Sequence, residues 1–370
     1  MRSSIAKTII RSRPLILYLV LLGSTTLDLD SLAQSNDPQS TAAVIYSKNS
    51  EANKLYLQAQ QYLDNSDPRT GGTLANARRA ITIYQQAVTK DPTFALAYVQ
   101  MSRAWLRLGY SDPDGLSNDE LLPPAKAALL KALALDKDLK EAHMVLAALY
   151  YNIDFDWQRA EQEYRTVLGV DAKNPIAHTS YAAFLASMGR FEEALSEARK
   201  AEELQSSLTT ELTLARIYYS MRRHDLAAEY CKKSITRQDN VLGHFYLGFI
   251  HVAQNQYTDA ISEFKTAAGF TKNGGALAGL AYGYAMAGRQ TDAREILKRL
   301  NTNHKDGLIV PYRVAAVYVA LHDNDQAIEW LNQEYKQKGN WMNQLKVDPV
   351  MDPLRSDPRF QDLMRRMKFE

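Results

Sequence analysis

With 370 residues, 46% of them apolar and only 17 Gly and 12 Pro, the chain fits a helix-rich protein as well as two or three globular domains. Its 44 basic and 42 acidic residues leave a formal charge of +2, which excludes the field that would draw nucleic acid or an anionic membrane. Cys231 is the only cysteine, so no intramolecular disulfide forms and packing alone must hold the chain. At an apolar helical position, a lone cysteine reads as a small core residue rather than a nucleophile.

Residues 1–33 read as a targeting segment. Arg2, Lys7, Arg11 and Arg13 form a basic start, residues 15–23 (LILYLVLLG) a short apolar run, and Ser31-Leu32-Ala33 a cleavage site of small residues. The uncharged stretch 14–27 falls short of the roughly 20 residues that span a bilayer as a helix. The reading is a cleaved signal and an exported, periplasmic or secreted chain with no membrane insertion afterwards. Asp28 and Asp30 leave an uncleaved inner-membrane anchor as the alternative. No Cys follows the apolar run, which removes a lipoprotein. Cleavage would take away four basic and two acidic residues and leave a formally neutral chain. Residues 34–50 read as a flexible linker.

From residue 51 to 336 the chain repeats itself. An alanine recurs at Ala80, Ala125, Ala160, Ala194, Ala227, Ala260, Ala293 and Ala327, at steps of 33 to 35 after the first step of 45. A second small residue precedes seven of them: Ser102, Ala147, Ala182, Ala215, Gly248, Ala281 and Ala315. From the fourth repeat onward the offset is a constant 12. Small residues at this spacing mark where two antiparallel helices touch, since a larger side chain would force the backbones apart. Bulky groups follow three positions after the first small residue (Trp105, Tyr150, Leu185, Tyr218) and four after the second (Tyr84, Leu129, Tyr164, Phe264). Spacing of three, four and seven is the apolar stripe of an amphipathic helix. Asp91-Pro92, Asn174-Pro175, Gly189 and Gly288 supply the stops.

Two stretches break the period, residues 66–72 and 110–124, and both read as lengthened loops. Asp112, Asp114, Asn118, Asp119 and Glu120 in the second miss the spacing of an EF-hand, so it reads as a solvated acidic excursion with no metal. His143, His178 and His244 share one repeat position, four before the small residue, as does Tyr98. A shared metal is one reading, but Glu211 interrupts the series and no HExxH or Cys/His pairing occurs, which favours helix packing. No GxSxG, Walker or Rossmann pattern is present. In the tail, residues 337–370, Asp357 is a candidate N-cap with Pro358 at the first helical position and Phe360, Leu363, Met364 and Met367 on one face. It reads as a cap over the apolar end of the stack.

Ala80-x3-Tyr84-x2-Ala87-x4-Pro92, and Leu247-Gly248-x2-His251-x5-Tyr257-x2-Ala260-x3-Phe264-x2-Ala267, resemble the tetratricopeptide repeat. The tail, with Tyr56-Leu57-Gln58 and Leu121-Leu122-Pro123-Pro124, narrows the likeness to the repeat region that bacteria append to winged-helix regulators, serine/threonine kinases and nucleotide cyclases. The resemblance implies an all-α, right-handed superhelical solenoid of about eight hairpins with a C-terminal capping helix. It also implies a scaffold or adaptor that binds a protein or peptide, without catalysis or cofactor. The concave face is expected to carry Arg103, Arg107, Tyr151, Arg216, Tyr219, Phe245, Phe249, Tyr282 and Tyr312, an aromatic surface with arginines suited to an apolar or aromatic peptide bearing an acidic group. The competing account is that these side chains are core. A small-ligand sensor and an envelope enzyme subunit are the other functional alternatives.

Overall fold

The computed structural model describes residues 46–64, 72–111, 118–270, 274–302 and 310–369. The expected leader, and the expected linker up to residue 45, lie outside them. Helices α1 (Ser50–Asp64) and α2 (Gly72–Lys90) form the first hairpin, α3 (Ala95–Ser111) and α4 (Asn118–Leu135) the second. The third joins α5 (Lys140–Leu149) to α6 (Trp157–Val170) through a π-helical turn (Tyr150–Asp154), and the fourth pairs α7 (Pro175–Ser187) with α8 (Phe191–Leu204). The last four are α9 (Leu208–Ser220) with α10 (His224–Arg237), α11 (Val241–Ala253) with α12 (Tyr257–Phe270), α13 (Gly274–Met286) with α14 (Gln290–Thr302), and α15 (Pro311–Ala320) with α16 (Asn324–Lys336). Two 3₁₀ turns (Asn340–Gln344 and Pro349–Leu354) and α17 (Pro358–Arg366) complete the chain. Among the described residues no segment is a strand.

All eight periodic alanines are fully buried, as are Ser102, Ala147, Ala182, Ala215, Ala281 and Ala315 on the partner helices. The sixth hairpin shows the steric demand directly. A Cβ on Gly248 would stand 2.7 Å from the Phe264 ring, and one on Gly279 of the next repeat 2.9 Å from it, so both backbones close around that ring.

Polar side chains start the helices. Asn174 caps α7 by accepting from the Ala177 amide at 3.0 Å with Pro175 at the first position, Asn240 caps α11 through the Gly243 amide at 2.7 Å, and Ser207 caps α9 through Thr210. The turn inside each later hairpin needs one left-handed residue, seven beyond the small residue. Glycine supplies it at Gly189 and Gly288 (φ 80° and 76°), whereas Arg222, Asn255 and His322 adopt it at φ near 60°.

In the third repeat the offset from Ala147 to Ala160 is 13 rather than 12. The extra residue is absorbed as the π turn, closed by the Asp156 amide donating to the Tyr150 carbonyl at 2.9 Å, with left-handed Phe155 (φ 51°) behind it.

In two places the chain departs from expectation. Residues 118–124 were expected in a loop, yet α4 begins at Asn118 with Pro123 and Pro124 inside it. Leu121 and Leu122 explain this, because each is buried in a different apolar cluster and the helix delivers both at once. The tail was expected to cover the end of the stack. α17 does have Asp357 as its N-cap and buries Phe360 and Leu363, but the whole segment 340–369 continues across the inner face to the third repeat. One contiguous core therefore runs from Met144 to Phe369, while two smaller clusters hold the first two repeats together.

Ala260→Leu should destabilise by about 1–3 kcal/mol through overpacking at the buried hairpin contact. A denaturant midpoint unchanged or raised would mean that this contact does not set the helix spacing.

Candidate functional site: a filled concave face

The first helix of each hairpin faces inward, so the side chains one, three and four to five positions from each small residue line the concave side. Of the nine residues expected on this face, Tyr151, Arg216, Tyr219, Phe245, Phe249, Tyr282 and Tyr312 are all at most 7% exposed. Phe245, Phe249 and Tyr282 pack on one another with ring centroids 5.0–5.1 Å apart. The remaining two candidates lie in the second repeat, where Arg103 is buried beside Gln100 and Arg107 donates to the Leu63 carbonyl at 2.8 Å. They are not brought together with the other seven.

The occupant of the inner face is the chain's own C-terminal segment. The Trp341 ring lies 3.6 Å from the Arg313 guanidinium carbon, which also faces Phe245 at 4.8 Å and Phe249 at 5.3 Å. The Tyr312 hydroxyl donates to the Asp348 carboxylate at 3.0 Å. Asn343 donates to Asn152 at 2.9 Å, and the Trp157 indole donates to the Met367 carbonyl at 2.8 Å while its ring stacks on Phe369 at 4.9 Å. Arg222 pairs with Asp352. The π turn in the third repeat thus presents the surface on which the tail ends, and Tyr335 of α16 stacks on Phe155 across the same seam.

Magnitudes decide whether this segment is a lid or part of the core. Trp341, Met342, Leu345, Met351, Leu354, Phe360, Leu363, Met367 and Phe369 are each at most 7% exposed. Burying one such side chain contributes about 1.5–3 kcal/mol. Nine of them together contribute a gross burial on the order of 10–25 kcal/mol before chain ordering is charged against it, which makes the segment part of the core rather than a loose lid. The seven inner-face residues are buried in this packing.

The inner face is polar in patches. Burial holds the Tyr219, Tyr246, Tyr282 and Tyr312 phenols above their ordinary range, so all four stay protonated donors. Burial also raises Asp348 against the opposing pull of Arg313. Glu334, 3% exposed, accepts from the Tyr312 amide at 3.2 Å, yet desolvation still pushes its carboxyl up to about 7.

The histidine series has a different logic from the one expected. His143, His178 and His244 do not meet one another. Each Nδ1 lies 2.5 Å from a glutamate three positions after the alanine of its own repeat: Glu163, Glu197 and Glu263. The second ring nitrogen of His143 faces the Lys137 carbonyl at 2.8 Å, so both nitrogens meet acceptors and the hydrogen bond to Glu163 raises its pKa. This pairing was legible as a constant spacing of 19 to 20 residues. Among the described residues no group of three or more His, Cys, Asp or Glu is placed to hold a metal. Burial raises the Cys231 thiol far above neutrality and keeps it protonated.

The fold is a tetratricopeptide-repeat solenoid, closed on its inside by its own tail. The family profile of the tetratricopeptide repeat matches residues 212–240, which span α9 and α10. The type IV pilus assembly protein PilF of Pseudomonas aeruginosa is 29% identical over 149 residues, 39% of this chain, which spans about half (54%) of that protein's length. Among solved structures, yeast Tom70 superposes with a TM-score of 0.55 at 15% identity, covering 94% of this chain and 74% of that one. PilW, described as a widely conserved type IV pilus biogenesis factor, gives a TM-score of 0.49 at 18% identity over 57% of this chain and 94% of that one.

Two measurements test this site. Phe249→Ala should destabilise by about 3–5 kcal/mol, as an emptied core position does, and an unaffected denaturant midpoint would restore an open groove. Glu334 titrates higher in the folded than in the unfolded chain, so the folded state binds the extra proton, and stability should fall as pH rises from about 4.5 to about 7. The loss is on the order of 3 kcal/mol. Glu334→Gln should flatten that part of a stability–pH curve, and a curve identical to wild type would refute the assignment.

Proposed function

We propose that this chain is an exported, non-catalytic tetratricopeptide scaffold that binds another protein, and that the partner docks on the outer edge of repeats two to four rather than in the concave groove. One observation carries the reading: the groove is full, while all but Leu130 of the exposed large apolar side chains among the described residues fall at one repeat position. Leu135, Val170 and Leu204 are three of the four such residues among the described ones, 36%, 49% and 43% exposed. Each is the last residue of its hairpin's second helix, ten beyond the periodic alanine. Isolated exposed leucines need no explanation, but the same position left apolar in three consecutive repeats forms a row that a partner can cover.

Beside Leu135 the edge opens into a cleft of about 820 Å³ with Tyr46, Phe94, Leu96 and Leu139 along it and Lys90 and Asp91 at the rim. Ser47, Asn49, Thr93 and Asp136 share the lining, a mixed surface as apolar as ordinary protein-docking surfaces are. The similarity to a pilus assembly protein supports an envelope role, and the basic and apolar start of the chain supports export. No helix among the described residues is long and apolar enough to cross a membrane.

Leu135→Glu, Val170→Glu and Leu204→Glu combined should leave the melting transition within about 0.5 kcal/mol per site, since all three are exposed. Site-specific photocrosslinkers at Leu135, Val170 and Leu204 in cells should each give one discrete protein adduct, absent from a crosslinker at exposed Glu229 and abolished when the other two sites carry Glu. Equal adducts at all four positions, or none at the apolar three, would remove this edge from the account.

A further inference from the structure

At the centre of the closed solenoid, between α9, α11, α15 and the first 3₁₀ turn, lies a cavity of about 10 Å³ lined by Arg216, Arg313, Tyr219, Tyr246, Gln344 and Asp348. Its size is that of a single water-sized occupant. Its lining is unbalanced. Arg216 and Arg313 are 5% and 4% exposed, and neither makes an ion pair among the described residues. The Arg216 Nη2 and the Arg313 Nε are buried without a hydrogen-bond acceptor among the described residues. Two guanidiniums taken out of water, with donors left unmet, carry a desolvation cost that a native structure normally offsets with a counter-charge.

Asp348 and Glu334 feel the charge of Arg313, but neither accepts a hydrogen bond from either guanidinium among the described residues. Asp348 points its oxygens elsewhere: one accepts from the Tyr312 hydroxyl at 3.0 Å and the other from the Val350 amide at 3.0 Å. Glu334 is likewise turned away, accepting from the Tyr312 amide. Trp341 covers the flat face of the Arg313 guanidinium at 3.6 Å, so the remaining donors lie in the plane of that group, which is part of the cavity lining. The phenols of Tyr219 and Tyr246 stand at the same cavity as further donors. Ser220, Gln344 and Asp348 bring oxygens to the same lining, around a space too small for a phosphate or a carboxylate-bearing metabolite.

We propose that this cavity holds a monatomic anion of chloride size, bound between Arg216 and Arg313 and completing the core of the closed solenoid. The ion takes the in-plane donors of both guanidiniums and leaves the Asp348–Tyr312 bond undisturbed. Its binding is linked to folding, because the site exists only when the C-terminal segment is seated. The proposal does not depend on which surface a protein partner uses.

The test uses the full folded chain. Melting is followed in sodium chloride and in sodium gluconate, an anion too large for the cavity, at equal ionic strength. Chloride should raise the midpoint by about 2 °C or more and the rise should follow the logarithm of its concentration. Arg216→Met, which removes one guanidinium and keeps an unbranched apolar stem, should lose the chloride-dependent part of the rise, while Arg289→Ala at an exposed ion pair should retain it. Should Arg216→Met fail to fold, wild type decides alone: crystals soaked in sodium bromide should show one anomalous peak between the two guanidiniums. Equal midpoints in the two salts, or bromide-soaked crystals without that peak, would overturn the proposal and leave a water molecule in the cavity.

Discussion

A stack of helical hairpins has an inner face that is as apolar as its hairpin contacts, and this face must be covered by something. Solenoids of this kind leave it to solvent or to a partner when it is polar enough. Here it carries Phe245, Phe249, Tyr282 and Tyr312, and the contact that covers it is Trp341 over Arg313, flanked by Asp348 on Tyr312. Every other feature of the C-terminal half follows from seating that segment. The third repeat bulges to receive the tail, the core becomes continuous from Met144 to Phe369, and two arginines are enclosed with a small cavity between them.

The closure also changes how the repeats behave. In an open one-dimensional stack each repeat contacts only its neighbours, and stability is a sum of local terms. The bonds Asn343 to Asn152 and Trp157 to Met367 join positions 191 and 210 residues apart. They tie repeats three to eight into one cooperative unit. The first repeat packs on the second through one separate apolar cluster, and the second packs on the third through another that takes in Val145, Leu146 and Leu149. The open cleft and the first member of the exposed apolar row both belong to this end of the chain.

The helical hairpins were legible because steric exclusion at a helix crossing acts on single residues at a fixed period, and Ala194, Ala227 and Ala260 obey it within one residue. The N-cap at Asp357 was legible for the same reason, being local chemistry. The filling of the groove was not, since Phe245 and Arg216 are residue types that serve a binding surface and an inward-facing core equally well. Periodicity says which face a side chain takes and nothing about what lies opposite it. Two signals stood in the sequence unread. The offset of 13 in the third repeat marked the π turn, and the tail holds more large apolar groups than one end-capping helix requires, Trp341, Met342, Leu345 and Met351 lying ahead of α17.

The same distinction separates the two kinds of arginine in this protein. Arg190 and Arg237 sit at the rim and meet glutamates, Glu161 and Glu193 in one case and the buried Glu211 in the other, so their charge is answered locally. Arg216 and Arg313 occupy the first-helix positions that face inward, where an open groove would have left them in water. Closing the groove removed that water without adding a carboxylate aimed at them. Aromatic rings answer part of the charge of Arg313 through their faces, but a ring offers nothing to an in-plane N–H. A core assembled from side chains suited to a wet concave surface therefore keeps a polar centre.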